Sequence, residues 1–264
     1  MSSATASSGY SNLFTPFPNL KGISPGVEKP KVEKGTLEKL LEIYEEVKME
    51  YKFSRCSSWG WDVESTKIYG VEDNKLKSLL SEIDYCEKDI SNLVATAQTW
   101  DLDENESLAF GAYVGSLIAI LTERNEAKGK RTIIKIDENR LDYLGYDCRK
   151  FDVVKFGVNN GDWVFSFAKN GNELYVEKCE GGNFAAFGYD HVGKIKANTV
   201  NGGAFAIGTG CDYRRVGEIS VDTVNGKFFA FDAVAEKIYV RKISEEAKAT
   251  MNPKTIIGDW EVEK

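Results

Sequence analysis

Histidine occurs once in these 264 residues, at His191. A metal centre or proton relay built on several imidazoles is therefore excluded. The five cysteines, Cys56, Cys86, Cys148, Cys179 and Cys211, are odd in number, scattered and never spaced C-x-x-C. That is neither a zinc framework nor the dense, even pattern of a secreted disulfide scaffold, and it points to a reducing cytoplasm. Sustained basic runs are missing as well. At a net charge of −7, the densest cationic stretch is Lys128-Gly129-Lys130-Arg131, which reads as a solvated turn before a strand. A phosphate-backbone partner needs a basic patch, so no nucleic acid is expected. The longest apolar run, Leu108–Leu121, is fourteen residues, short of the roughly 17–25 a membrane helix requires. The N-terminal stretch has neither a basic start nor a continuous apolar segment, so no signal peptide is expected.

Proline is nearly confined to the start. Four of the five, Pro16, Pro18, Pro25 and Pro30, lie within residues 1–35, a Ser/Gly/Pro-rich segment that reads as a tail. Its apolar residues Leu13, Phe14, Phe17 and Leu20 suit docking on the body of the protein or on a partner. From Thr36 the pattern turns helical. Leu37, Leu40, Leu41, Tyr44, Val47 and Tyr51 recur at helical spacing. A second helix is predicted over about 73–98 and a third over about 105–125. The third is apolar nearly all round and should be the central one, and its Gly111-x-x-x-Gly115 allows close approach of a neighbour. Between the first two, the link Ser54–Gly70 holds Trp59-Gly60-Trp61 in a turn. Residues 36–128 thus read as a three-helix domain.

After Gly129 the periodicity changes. Thr132–Ile136 is strand-like, and residues 137–151 fit no pattern. Four units then superpose, over about 161–180, 181–201, 202–225 and 226–243, within a repetitive β domain spanning 129–250 and followed by a C-terminal cap at 251–264. Each unit has a glycine (Gly161, Gly181, Gly202, Gly226) and an apolar–small–apolar triplet (Phe165-Ser166-Phe167, Ala185-Ala186-Phe187, Phe205-Ala206-Ile207, Phe229-Ala230-Phe231). A second triplet follows (Leu174-Tyr175-Val176, Ile195-Lys196-Ala197, Ile219-Ser220-Val221, Ile238-Tyr239-Val240), then a closing position (Cys179, Val200, Val224, Ile243). Constant spacing with length variation at one place is what stacked coils require. The fold class is α+β: an N-terminal three-helix domain and then a β-solenoid of about four to five coils. Tandem hairpins, an antiparallel meander, are the alternative, because Asn159-Asn160-Gly161, Asn201-Gly202-Gly203 and Asn225-Gly226 are strong turn signals. In the solenoid, Phe187, Ile207 and Phe231 should line up inside, and Ser166, Ala186, Ala206 and Ala230 should form a narrow outer stripe. The run Val216–Gly226 resembles the glycine-punctuated coils of bacterial polymer-forming solenoid proteins. The resemblance covers under half the chain, follows from generic solenoid constraints, and assigns no family.

Chemistry-bearing patterns are few. Asp101-Leu-Asp103-Glu-Asn105-Glu-Ser107 alternates oxygen ligands as a calcium loop does, but Glu106 stands where the turn glycine belongs and Ala112 where a bidentate Glu belongs, so it reads as a helix start. No dinucleotide fingerprint, phosphate loop or nucleophile elbow is present, so no metal or cofactor is expected and no catalytic residue is assigned. The candidate binding residues lie at the variable edge of the repeat: Asp190 and His191, then Cys211, Asp212, Arg214 and Arg215. Stacking would bring the two groups together, as a surface loop or as a ligand or partner contact. These features lean away from an enzyme. They point to a cytoplasmic scaffold or protein-interaction module that binds a protein partner or itself. The alternative is a carbohydrate-active or other enzyme, or a small-ligand binder, using residues 189–191 and 208–217.

Overall fold

The computed structural model describes residues 34–56, 65–69, 73–185, 191–206, 215–230, 233–250 and 260–262. Residues 35–264 form one compact unit; the proposed docking residues Leu13, Phe14, Phe17 and Leu20 lie outside the described residues. Helix α1 (Thr36–Val47) is followed by a hairpin of β1 (Lys52–Cys56) and β2 (Ser65–Tyr69), then α2 (Asp73–Leu80), α3 (Glu87–Ala97) and α4 (Glu104–Ala127). Two expectations change here. The link at 54–70 is a two-stranded antiparallel hairpin, with Trp59 and Trp61 outside the described residues. The helix expected over 73–98 is two helices, because Arg124 of α4 occupies the break. Its guanidinium donates to Leu80 O (2.6 Å) and Ile83 O (3.1 Å) and lies 4.8 Å from the Tyr85 ring. Leu80 O, the last carbonyl of α2, also accepts from Ile83 N (3.1 Å), and a cation suits a helix C-terminus. Apolar spacing runs on through both helices, so periodicity could not register the interruption.

The start of α4 is a capping box. Asp103 Oδ1 accepts from Glu106 N (2.9 Å), and Glu106 Oε2 accepts from Asp103 N (3.1 Å). The carboxylates of the calcium-like run are thereby used in the helix start. Nearly every residue of α4 from Leu108 to Thr122 is buried. Its two glycines face the first coil of the β domain, not another helix. A Cβ at Gly111 would lie 2.0 Å from Tyr143 O, and one at Gly115 would lie 2.9 Å from Tyr146 O. Gly145 N donates to Gly111 O at 3.1 Å.

The C-terminal part is a parallel β-solenoid of about five turns. Its main sheet has seven strands: β3 (Ile133–Asn139), β4 (Lys150–Asn159), β5 (Asn170–Cys179), β7 (His191–Val200), β9 (Arg215–Val224), β11 (Ala235–Ile243) and β12 (Trp260–Val262), adjacent in that order and parallel throughout. A second parallel sheet is short, made of β6 (Asn183–Phe184), β8 (Ala204–Phe205) and β10 (Phe228–Phe229). The antiparallel alternative therefore fails for this domain. In one of its turn signals, Asn159 is a buried ladder member: Asn139 Nδ2 donates to Asn159 Oδ1 (2.7 Å), and Asn159 Nδ2 donates to Gly161 O (3.0 Å). Asn139 and Asn159 occupy the column that continues as Cys179, Val200, Val224 and Ile243.

The repeat also begins earlier than its glycines suggest. Residues 137–151 complete a coil ahead of the first expected unit, with Leu141, Leu144 and Cys148 buried. The second triplets stack as expected: Leu174, Ile195, Ile219 and Ile238 are register partners and buried. The first triplets do not. The column is Val164, Phe184, Phe205 and Phe229, so the expected alignment is one residue out in the first two units. The cause is a left-handed corner right after that column, at Gly145 (φ 72°), Phe165 (52°), Ala185 (54°), Ala206 (52°) and Ala230 (46°). A left-handed residue ends the strand, so period-two alternation stops there. Ser166, Ala206 and Ala230 are consequently buried and form no outer stripe; Ala186, Phe187, Ile207 and Phe231 lie outside the described residues. The aromatic ladder that does form stacks Phe184 on Phe205 (centroids 5.5 Å, 7° between planes) and Phe205 on Phe229 (6.2 Å, 14°).

A helix covers the first edge of the main sheet. Helix α3 lies along the outer edge of β3, where Ser91 Oγ donates to Lys135 O (2.7 Å) and Gln98 Nε2 donates to Glu138 O (2.9 Å). Arg140 N in turn donates to Gln98 Oε1 (2.9 Å). The Gln98 amide so replaces the peptide of a missing strand, satisfying an edge that would otherwise template pairing. At the far end β12 pairs with β11, and α5 (Glu245–Thr250), with Ala247 buried, packs by β10. Of the expected cap residues, Trp260 stands in β12, and Pro253, Ile256 and Ile257 lie outside the described residues.

Candidate functional site

Two surfaces of the solenoid carry candidate chemistry. The first is the edge where the strands begin. His191 opens β7 and is exposed; its register neighbours are Asn170 on β5 and Arg215 on β9. Stacking thus places two of the six candidate residues, His191 and Arg215, on adjacent rungs. Asp190, Cys211, Asp212 and Arg214 lie outside the described residues.

Beside His191 runs an open cleft of about 730 Å³, bounded by Thr122 and Glu126 of α4 and by successive strand starts. Asp152 organises its inner wall. The carboxylate accepts from Arg131 Nε (2.6 Å) and Nη2 (2.8 Å), Thr132 N (3.0 Å) and Asn172 Nδ2 (2.8 Å). The Arg131 guanidinium, ahead of the other donors, holds the Asp152 carboxyl below the usual carboxylate range. With four donors on two oxygens, Asp152 is a saturated anchor that fixes Arg131, and a poor proton carrier. Further along the same column stand Gly193 and Gly217. A Cβ at either would lie 2.7 Å from the preceding rung's carbonyl oxygen, so this stretch of the floor is bare backbone. Sequence reading passed over Arg131 as part of a turn. The one available signal was the twenty-residue spacing that sets Thr132, Asp152 and Asn172 in line.

Two buried thiols, Cys148 and Cys179, argue against nucleophilic sulfur chemistry at their positions. Burial pushes both Cys148 and Cys179 up to about 12, far from the thiolate a nucleophile needs. Among the described residues no group of three His, Cys, Asp or Glu side chains is placed to hold a metal ion. No helix among them is long and apolar enough to cross a membrane.

The second surface is the outer face of the main sheet. Inward residues of β5, β7, β9 and β11 are buried, and the alternate ones form three outward columns. These are Glu173, Lys194, Glu218 and Lys237; then Tyr175, Lys196, Ser220 and Tyr239; then Glu177, Asn198, Asp222 and Arg241. All twelve are half-buried or exposed. Glu218 forms lateral ion pairs with Lys194 (3.6 Å) and Lys196 (3.8 Å). The strands fix the rung spacing at about 4.8 Å, so charge alternates along the first column at a set pitch. The expected outer stripe of small residues is thus replaced by the middle members of the second triplets and their flanks.

Comparison with protein-family models, curated proteins and solved structures gives no match to this chain.

Proposed function

We propose that this protein is a non-enzymatic scaffold or protein-interaction module whose working surface is the outer face of the main sheet. The observation that carries this reading is the contrast between a covered β3 edge and an open face. Ser91 and Gln98 cover the β3 edge, while Tyr175, Lys196, Ser220 and Tyr239 stand outward in register on the face of the sheet. Edge protection suits a discrete module better than an open-ended fibre. A flat, rigid array with aromatic and charged side chains suits a protein partner. The proposal includes a reducing cytoplasmic setting for a chain whose thiols Cys86, Cys148 and Cys179 are unpaired.

The test is affinity capture from native extract with the intact chain and with a Tyr175→Ser/Tyr239→Ser double variant. A stoichiometric protein partner retained by the first and lost by the second is the expected result. Identical captures from both would overturn the assignment of the face. A second reading, a small-ligand binder or carbohydrate-active enzyme at residues 189–191 and 208–217, is favoured by one observation, the cleft beside His191 with Arg131 fixed in its wall. His191→Ala and Arg131→Ala separate the two readings, since neither touches the outer face.

A further inference from the structure

The three outward columns share a property that none shows alone. Consider a two-fold axis lying on the sheet face, parallel to the strands and midway between β7 and β9. It lays a second copy of the chain face to face on the first and reverses the order of its rungs. Glu173 then faces the partner copy's position 237, a lysine, and Lys194 faces position 218, a glutamate. In the third column Glu177 faces position 241, an arginine, and Asn198 faces position 222, an aspartate. In the middle column Tyr175 faces position 239, a tyrosine, and Lys196 faces position 220, a serine. Each of the six kinds of facing pair joins opposite charges, an aromatic pair, or a charge and a neutral polar group. No like charges meet.

Arrangements with the axis on a strand, or across the strands, lose this match. Moving the axis onto β7 sets Glu173 against Glu218 and Lys194 against its own counterpart. Moving it onto β9 sets Lys194 against Lys237 and Glu218 against itself. Turning the axis perpendicular to the strands sets Glu173 against Glu177. Axes midway between β5 and β7 or between β9 and β11 also face unlike charges but match only two of these four rungs; the axis between β7 and β9 engages all four, and its symmetry is the closed, isologous kind that ends at a dimer. From this we infer that the outer face of β5, β7, β9 and β11 binds a second copy of this chain about that axis. The inference rests on the reading of this face as the interaction surface and names its occupant.

Strength follows from size. Four rungs at about 4.8 Å and three columns at about 6.8 Å, with side-chain margins, cover on the order of 400 Å² per copy. A standard stable interface buries about 800 Å² per partner. The dimer is accordingly weak and dominated by charge, and it is suppressed at about 1 M salt, where the screening length falls to about 3 Å.

The experiment is sedimentation velocity on the purified intact chain over a concentration series at low ionic strength and in 1 M salt. The expected mass rises from 29.4 kDa toward twice that value at low salt and returns in high salt. Lys194→Glu, which faces Glu218, and Glu218→Lys, which faces Lys194, should each weaken self-association at least tenfold. An equimolar mixture of the two variants should regain it, because both crossed pairs are then opposite in charge. Far-ultraviolet dichroism and melting curves confirm that each variant is folded. A mass of 29.4 kDa under all conditions overturns the inference, as does association that both variants retain or that the mixture fails to restore. In the first case, capture of a different protein by the same face would leave the interaction module standing with another occupant.

Discussion

Replacing Gly202 by alanine isolates a single physical term. Gly202 has an ordinary negative φ, so alanine pays no conformational penalty there, yet its Cβ would lie 1.8 Å from Gly181 O, 2.9 Å from Gly181 C and 3.2 Å from Glu180 C. All three are backbone atoms of the previous coil, so no side chain can swing aside. Relief to about 3.0 Å requires the two coils to part by roughly 1 Å. That strains the hydrogen bonds from Asn201 N (2.8 Å) and Gly202 N (3.1 Å) to Cys179 O. Overpacking of this kind costs about 1–3 kcal/mol, and two weakened hydrogen bonds add about 1 kcal/mol each, so a loss of about 3–5 kcal/mol is expected. Gly203 next door is the control, because its Cβ meets nothing closer than Gly182 O at 3.2 Å and points outward. Gly203→Ala should cost under about 1 kcal/mol. Gly129→Ala isolates the opposite term: open space around its Cβ but φ of 65°, for about 1 kcal/mol. Urea denaturation followed by dichroism reads all three as shifts in midpoint at constant slope. A Gly202→Ala midpoint equal to that of Gly203→Ala would refute the claim that the glycine column is set by coil-to-coil approach.

Other substitutions probe the remaining parts. Asp152→Ala strips the acceptor from Thr132 N and Asn172 Nδ2 and should cost about 2–3 kcal/mol by thermal or urea unfolding, against under 1 kcal/mol for the exposed partner change Arg131→Ala. Because the folded-state pKa of Asp152 is lowered, its contribution is complete above the unfolded value of about 3.9 and disappears as pH falls through the lower folded value. The wild-type stability curve should therefore drop more steeply below about pH 4 than that of Asp152→Asn. Asn159→Val leaves Asn139 Nδ2 short of a partner and should destabilise by about 2 kcal/mol. Adding Asn139→Val, which extends the valine column seen at Val200 and Val224, should recover part of that loss in a double-mutant cycle. Gln98→Ala exposes the β3 edge at Glu138 and Arg140; light scattering of the concentrated variant should show aggregation absent from the parent.

What the sequence made legible and what it hid divide along a physical line. The second triplets and their closing column were readable because each strand there is ten residues long in β5, β7 and β9, so period-two alternation has room to express itself. The first triplets misled because Ala185, Ala206 and Ala230 sit at left-handed corners, a conformation whose usual sequence mark is glycine. The opening coil was invisible since Leu141 and Gly145 there exchange the residue types found later at Gly161 and Phe165. At the candidate edge, stacking was expected to set Asp190 and His191 near Cys211 and Asp212; three of these lie outside the described residues, and the rung beside His191 is Arg215. The fixed guanidinium of Arg131 was not foreseen, because its partners Asp152 and Asn172 come from two other coils.

Register links the glycine column to the outer face, although they lie on different sides of the coil. The match between Glu173 and Lys237, or Lys194 and Glu218, exists only if every rung from β5 to β11 keeps its place, since a slip of one rung brings like charges together. Gly181, Gly202 and Gly226 hold adjacent coils so close that a Cβ would sit within 2.0 Å of the carbonyl beneath. A substitution such as Gly202→Ala therefore perturbs the pitch between β7 and its neighbours as well as stability. At temperatures where this variant is still folded, its self-association at low salt should already be weakened, whereas Gly203→Ala should associate as the parent does. Equal association by a folded Gly202→Ala would mean that the face tolerates a change of pitch, and the self-pairing would then have to rest on something less exact than facing charges.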